Sequence, residues 1–147
     1  MKRTFALLLA LLMVAILFVG CSPAGTYHLK TIDGKDPYDY YMDEFKKQFD
    51  ADEDDINELL EYLGIDEDDL KDPMVLEINK DGTYKMKSNV GDGVEKGTWT
   101  KKGNTITFVA DDAGEDDENT ELTIKGGKLY GLSTDGEETE YVFVKGK

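Results

Sequence analysis

Cysteine, histidine, tryptophan and arginine are almost absent from this chain. Each of Cys21, His28, Trp99 and Arg3 is the only residue of its type. A single cysteine cannot form an intrachain disulfide. A single histidine leaves one candidate base for a nucleophilic triad, and its spacing from the available serines indicates no such set. Those serines are Ser22, Ser88 and Ser133. We therefore predict that the protein is not an enzyme.

Basic residues are few relative to acidic ones. The chain has 17 lysines and arginines against 32 aspartates and glutamates, and its formal net charge is -15. A surface of this sign repels nucleic acid and anionic lipid head groups. We therefore predict no nucleic-acid partner. The same acidity favours solubility, and it could attract cations or basic proteins.

A long apolar run occurs only at the N-terminus. Lys2 and Arg3 precede an uncharged apolar segment over residues 5–19. This segment is shorter than the roughly 20 residues that span a bilayer. A basic start followed by a short apolar stretch is typical of a secretory signal. The sequence predicts a signal peptide over residues 1–20, cleaved between Gly20 and Cys21.

The residues at this cut resemble the lipobox of bacterial lipoproteins. Residues 18–21 read Phe-Val-Gly-Cys, with Phe18 where that family usually has leucine. The resemblance implies that Cys21 carries a lipid anchor with acyl chains such as palmitate, each buried methylene adding about 0.8 kcal/mol. We expect the protein on the extracytoplasmic face of the cell membrane. Residues 21–24 would be the lipidated cysteine and a short linker to a domain over residues 25–147.

The first part of this domain combines one strand with a helical insert. Residues 25–32 alternate as a strand, which places Ile32 on the opposite face from Tyr27. Asp36 followed by proline is typical of a helix start. Apolar residues then recur at three- and four-residue steps, which predicts an insert of two or three helices over residues 36–71.

From Met74 onward the pattern predicts seven short strands. Turns such as Asp81-Gly82 separate them, which favours antiparallel neighbours in sequence order. With the first strand the total is eight, about the size at which an up-and-down sheet can close. We predict a mainly β fold with the helical insert between strands 1 and 2. Two alternatives are a closed barrel, which removes sheet edges, and an open meander covered by the helices.

Three segments, residues 25–29, 79–84 and 97–106, resemble small lipocalin-like lipoproteins of Gram-positive bacteria. The opening Gly-x-Tyr stands where lipocalins have Gly-x-Trp. The resemblance implies a barrel that encloses a small apolar ligand. The insert also looks like the helical lid of fatty-acid-binding proteins, which gates the barrel mouth. The arginines that hold the fatty-acid carboxylate in those proteins have no counterpart here, because no arginine follows Arg3.

Two sets of residues are therefore candidates for ligand binding. The candidate cavity residues are Tyr27, Leu29, Tyr84, Met86, Trp99, Phe108, Tyr130, Tyr141 and Phe143. The candidate lid residues, one face of the first helix, are Tyr38, Tyr41, Phe45 and Phe49. The alternative for the first set is that these side chains simply fill the barrel. The alternative for the second is that they pack on the barrel end.

No metal site or other cofactor is predicted. Asp50, Asp52, Asp54 and Glu61 match the spacing of a calcium loop, but Asp55 occupies the position that requires glycine. A second acidic loop lies between two of the predicted strands, and a solvated hairpin loop is the favoured explanation for it. The weak candidate calcium ligands in this loop are Asp111, Asp112, Glu115, Asp116 and Asp117.

The sequence thus favours a membrane-anchored, non-enzymatic binding protein for a small apolar ligand. The alternative is an acidic interaction or scaffold protein of the cell envelope with a filled barrel and no ligand. The sequence identifies no protein partner.

Overall fold

In the computed structural model, residues 22–91, 93–114, 118–133 and 138–146 are described, and they form eight strands and three helices. The helices all lie between the first two strands, as predicted. The bounds in chain order are β1 Gly25–Ile32, α1 Pro37–Phe49, α2 Glu53–Leu63, α3 Glu67–Lys71, β2 Met74–Ile78, β3 Thr83–Ser88, β4 Val94–Lys102, β5 Thr105–Ala110, β6 Thr120–Lys125, β7 Lys128–Ser133 and β8 Thr139–Lys145.

The strands close into one antiparallel barrel. Each strand pairs with the next along the chain, and β8 returns to pair with β1, with Leu29 opposite Phe143. The predicted mainly β fold is confirmed, and the sheet is a closed barrel rather than an open meander. We call the end where β1 begins, beside the hairpin turns at 79–82, 103–104 and 126–127, the turn end. The opposite end, where β1, β3, β5 and β7 finish, is the helix end.

The inner face of the barrel carries the main hydrophobic core. In β1, Tyr27, Leu29 and Ile32 are all buried, whereas simple alternation places Ile32 outside. The register of β1 against β8 shifts between Leu29 and Thr31. This β-bulge makes Lys30 an extra residue and turns the following side chains over. The predicted outward position of Ile32 is therefore wrong.

The helices have clear start and stop signals and a small core of their own. Asp36 caps α1 by accepting the backbone N–H of Tyr38 at 3.0 Å, and Pro37 follows at the first helical position. Asp52 caps α2 in the same way. Gly64 ends α2 in the left-handed conformation, at φ 68°. The buried side chains that join the three helices are Met42, Ile56, Leu60 and Leu70.

Side-chain contacts fix this insert to the barrel wall. Tyr41 of α1 packs against both the barrel core and the helical core. His28 is on the outer face of β1 and half-buried, with Nδ1 2.7 Å from Oδ2 of Asp72. The Asn89 side-chain amide donates to the carbonyl of Asp72 at 2.6 Å. The residues that join α3 to β2 are therefore tied to β1 and to the end of β3.

The segment before β1 is held against the turn end. The Tyr27 hydroxyl donates to the carbonyl oxygen of Pro23 at 2.8 Å, and Lys145 Nζ donates to that of Ala24 at 2.7 Å. The predicted signal peptide, with Gly20 and Cys21, lies outside the described residues.

Over the described residues, none of the helices has the length and apolar character needed to cross a membrane.

Candidate ligand cavity

The barrel interior is not completely filled. A cavity of about 310 Å³ opens toward the helix end on the side of β3 to β8. Its wall is mostly apolar and aromatic. The lining residues are Met74, Leu76, Tyr84, Met86, Glu95, Phe108, Glu118, Asn119, Thr120, Glu121, Leu122, Gly131, Leu132, Ser133, Tyr141 and Phe143.

Small side chains on β6 and β7 explain why space remains there. The inward positions of β7 toward the helix end are Gly131 and Ser133, and the inward position at the start of β6 is Thr120. By contrast, the inward residues near the turn end include Tyr27, Trp99 and Ile106, and these pack together. The alternation of large and small inward residues thus fills one end of the barrel and leaves the other hollow.

A tyrosine–glutamate pair lies in the wall of this cavity. The Tyr84 hydroxyl donates to Oε1 of Glu95 at 2.5 Å. Burial, followed by this hydrogen bond and the Glu95 charge, raises the pKa of Tyr84 well above its usual 10.0. The Tyr84 ring also meets Phe108 edge-to-face, with ring centroids 4.9 Å apart. Glu95, on the inner face of β4, is therefore held by a neutral phenol.

A second, more polar recess of about 350 Å³ adjoins the cavity. Tyr84, Glu95 and Phe108 line both spaces. The recess adds the carboxylate of Asp112, and Glu118 lines both spaces; both residues are exposed. Glu95 consequently lies where the apolar interior meets an acidic entrance.

The structure separates the nine candidate cavity residues into three groups. Five of them line the cavity: Tyr84, Met86, Phe108, Tyr141 and Phe143. Tyr27, Leu29 and Trp99 instead belong to the packed turn end of the core. The Trp99 indole N–H donates to the Asn79 carbonyl at 2.9 Å, which holds the ring beside the first hairpin turn.

Tyr130 is the ninth candidate, and its predicted inward position is wrong. It lies between the buried residues Leu129 and Gly131 of β7, so its side chain is on the outer face. Lys125 Nζ lies 5.7 Å from the centroid of its ring. After the glycine turn at 126–127, the inward residues of β7 are therefore one position away from those predicted.

Sequence reasoning missed several lining residues. Glu95 is the most informative of them, because it shares the inner face of β4 with Gly97 and Trp99. Alternation back from Trp99 reaches Glu95, so the signal was present. Met74 and Leu76 of β2 and Leu122 of β6 complete the apolar wall.

The candidate lid residues do not line the cavity. Tyr38, Tyr41 and Phe45 pack against the helical core, and only Tyr41 also reaches the barrel core. Phe49 is half-exposed. Three of these side chains therefore pack within the helical insert, and of the four only Tyr41 makes the predicted contact with the barrel.

The acidic loops show no metal centre in the part of the chain that the structure describes. No group of three or more carboxylate, histidine or cysteine side chains is arranged to hold an ion there. Asp52 of the first candidate set instead caps α2. In the second set Asp111 and Asp112 follow β5, whereas residues 115–117 lie outside the described residues.

Comparison with known protein families finds no match. Comparison with curated proteins finds no significant relative.

Proposed function

We propose that this protein is a lipid-anchored, extracytoplasmic binding protein that holds a small apolar ligand inside its barrel. The observation that carries the proposal is the apolar cavity of about 310 Å³ at the helix end. Ligand sites in proteins are typically concave, mostly apolar spaces of about 300–1,000 Å³ with a few polar groups. The cavity fits the small end of that range.

The cavity favours ligand binding over the alternative of a scaffold with a filled barrel. A filled barrel needs large side chains at the inward positions nearest the helix end, and Thr120 of β6 and Ser133 of β7 occupy them instead. Binding without catalysis is the simpler proposal, because His28 lies on the outer face beside Asp72 and away from the cavity.

The tether supports a defined orientation on the membrane. Ser22 to Ala24 is the only segment between the proposed lipid on Cys21 and β1. Two of its carbonyls bond to Tyr27 and Lys145 at the turn end. The turn end would therefore face the bilayer, and the cavity would open away from it. In this arrangement the ligand enters from the aqueous side rather than directly from the lipid.

Native mass spectrometry of the protein released from its own membranes tests this proposal, followed by a screen with lipid extracts. We expect a bound small molecule in the wild type. Met86→Trp, which fills the cavity from β3, should lose it. Lys87→Trp, with the same residue on the outer face of the same strand, should keep it. A wild-type protein that carries nothing and takes up nothing would remove the ligand from the proposal.

A further inference from the structure

The charge of the cavity wall restricts the ligand more than its size does. Glu95 lines the mostly apolar cavity together with Glu118 and Glu121, and Asp112 lines the adjoining recess. No lysine or arginine is among the residues that line either space in the described chain. A carboxylate-bearing ligand such as a fatty acid would meet like charge along its whole path.

We propose that the ligand is an organic cation, with an apolar body and a protonated amine or quaternary ammonium. This inference rests on the proposed binding function and specifies its ligand class. A carboxylate has about four acceptor positions, and the Tyr84 hydroxyl takes one of those on Glu95. An ammonium group beside Glu95 pairs with its carboxylate while the body of the ligand lies against the apolar wall. The rings of Tyr84 and Phe108 offer additional cation–π contacts.

A series of three probes with the same chain tests the ligand class: octylammonium, 1-octanol and octanoate. The protein is the chain from Ser22, which contains every described residue, and calorimetry gives each affinity. We expect octylammonium to bind about tenfold tighter than 1-octanol, since bonds to charged groups exceed neutral ones. Octanoate should bind weakest. Glu95→Gln, which keeps the acceptor for Tyr84, should abolish the advantage of octylammonium over 1-octanol.

Glu77→Gln is the matched control, because Glu77 is exposed on the outer face of β2 and its loss changes net charge equally. Equal binding of the three probes, or equal responses of the two variants, would overturn the cation proposal while leaving an apolar site. No binding of any probe would reject the binding function itself. If Glu95→Gln does not fold, the order of affinities in the wild type decides alone.

A second inference rests on the opposite end of the barrel. The exposed lysines of the three hairpins and of the end of β8 are Lys80, Lys101, Lys102, Lys125, Lys128 and Lys145. Antiparallel up-and-down topology brings all six to the turn end. The only acidic residue in those hairpin turns is Asp81. We call these six residues the lysine face.

We infer that the lysine face contacts an anionic membrane surface. The net charge predicts repulsion from such a surface, but the structure separates the charges along the barrel. The eight residues of β1 span roughly 25 Å, and charges are screened over about 10 Å at 0.1 M salt. The acidic helices at the far end are therefore screened from lipid that touches the turn end. Each lysine near an anionic bilayer strengthens the affinity for it about fivefold.

Binding of the chain from Ser22 to vesicles tests this surface without the lipid anchor. In about 0.1 M salt, we expect partition onto phosphatidylglycerol-containing vesicles and little onto pure phosphatidylcholine. Lys80→Gln/Lys128→Gln should weaken this partition about 30-fold. Lys30→Gln/Lys87→Gln removes the same charge from exposed positions elsewhere on the barrel, and should change it less than about twofold.

Equal losses in the two double variants would overturn the membrane inference. So would equal affinity for the two kinds of vesicle. Tighter binding of the wild type to a soluble polyphosphate than to the vesicles would assign the lysine face to a soluble polyanion instead. None of these results depends on lipidation of Cys21.

Discussion

Gly97 lies on the inner face of β4, where β5 passes too close for a side chain. A Cβ atom added there would collide with the carbonyl oxygen of Val109 and lie 2.8 Å from Cε1 of Tyr84. Because one obstacle is backbone, Gly97→Ala should destabilise the protein by about 3 kcal/mol. Urea unfolding followed by the fluorescence of the single tryptophan, Trp99, measures this.

Gly93→Ala is the control for that substitution. Its Cβ would lie 3.5 Å from Cβ of Ser88, an ordinary contact, so the change should stay within about 0.5 kcal/mol. Similar losses in the two variants would mean that the approach of β5 to β4 is not as close as described.

Tyr84 makes stability depend on alkaline pH. Its pKa is raised above 10.0 in the folded state, chiefly by burial and then by Glu95. A raised pKa means that the folded protein holds the proton longer than the unfolded chain does. The contribution is therefore complete below pH 10.0 and is lost as pH rises through the folded pKa.

We expect Tyr84→Phe to lower the free energy of unfolding by about 1 kcal/mol at neutral pH, because the bond to Glu95 is lost. Above pH 10.0 the variant should lose stability less steeply than the wild type. Urea unfolding at both pH values checks this, with the exposed Tyr62→Phe as control. A wild type and a Tyr84→Phe variant with parallel pH profiles would contradict the assignment.

At the residue scale, the sequence predicted side chains well where alternation ran uninterrupted. Tyr84 and Phe108 follow the period of two and lie inside the barrel. Ile32 and Tyr130 do not, because a bulge and a two-glycine turn each change the phase by one residue. The bulge has no sequence signature that locates it in advance, whereas the Gly126-Gly127 turn pairs Ile124 with Leu129 and would have placed Tyr130 outside. Glu95 was available from the alternation but carries the wrong polarity for a simple core pattern.

At the element scale, α1 is attached to the barrel core through two adjacent aromatic side chains, Tyr40 and Tyr41. Tyr41 contacts both cores, whereas Phe49 at the end of the same helix is half-exposed. Tyr41→Ala should therefore destabilise the protein by about 2–3 kcal/mol, below the range for a fully buried aromatic. Phe49→Ala should cost less than about 1 kcal/mol. Thermal unfolding of the two variants measures the difference, and a larger loss for Phe49→Ala would contradict the packing.

The elements themselves were the most predictable part of this protein. Capping residues such as Asp36, the glycine stop at Gly64 and the glycine turns set the element order directly. The position of α1 relative to the cavity was not predictable. The apolar face of α1 is compatible with a lid over the cavity or with packing in a helical core. The contacts of Met42 with Ile56 and Leu60 show that it packs in the helical core.

At the scale of the whole molecule, the short tether predicts which end meets the bilayer. Trp99 lies at the turn end through its bond to Asn79. With the chain from Cys21 coupled through its thiol to vesicle lipid, head-group nitroxide lipids should quench Trp99 strongly. A flexible Gly-Ser insertion after Ser22 lengthens the tether and should reduce the quenching at least about twofold. Equal quenching with both tethers would contradict the orientation.

Net charge gave an incomplete description at this scale. Composition reports a strongly acidic chain, but it cannot report that six lysines collect at one end of a closed barrel. That separation follows from strand order, because alternate connections of an up-and-down barrel lie at opposite ends. For the same reason, the sequence did not decide between a hollow and a filled barrel. That choice depends on which small inward residues lie at the same end of the barrel.

Methyl NMR of the chain from Cys21 tests the ligand cavity most directly. This chain contains three methionines, Met42, Met74 and Met86. Met74 and Met86 line the cavity, whereas Met42 is buried among the helices. On titration with octylammonium, we expect the ¹³C-methyl signals of Met74 and Met86 to shift together and saturate, while that of Met42 stays in place. Saturable binding that moves Met42 alone, or no saturable shift of Met74 and Met86, would contradict a ligand inside the barrel.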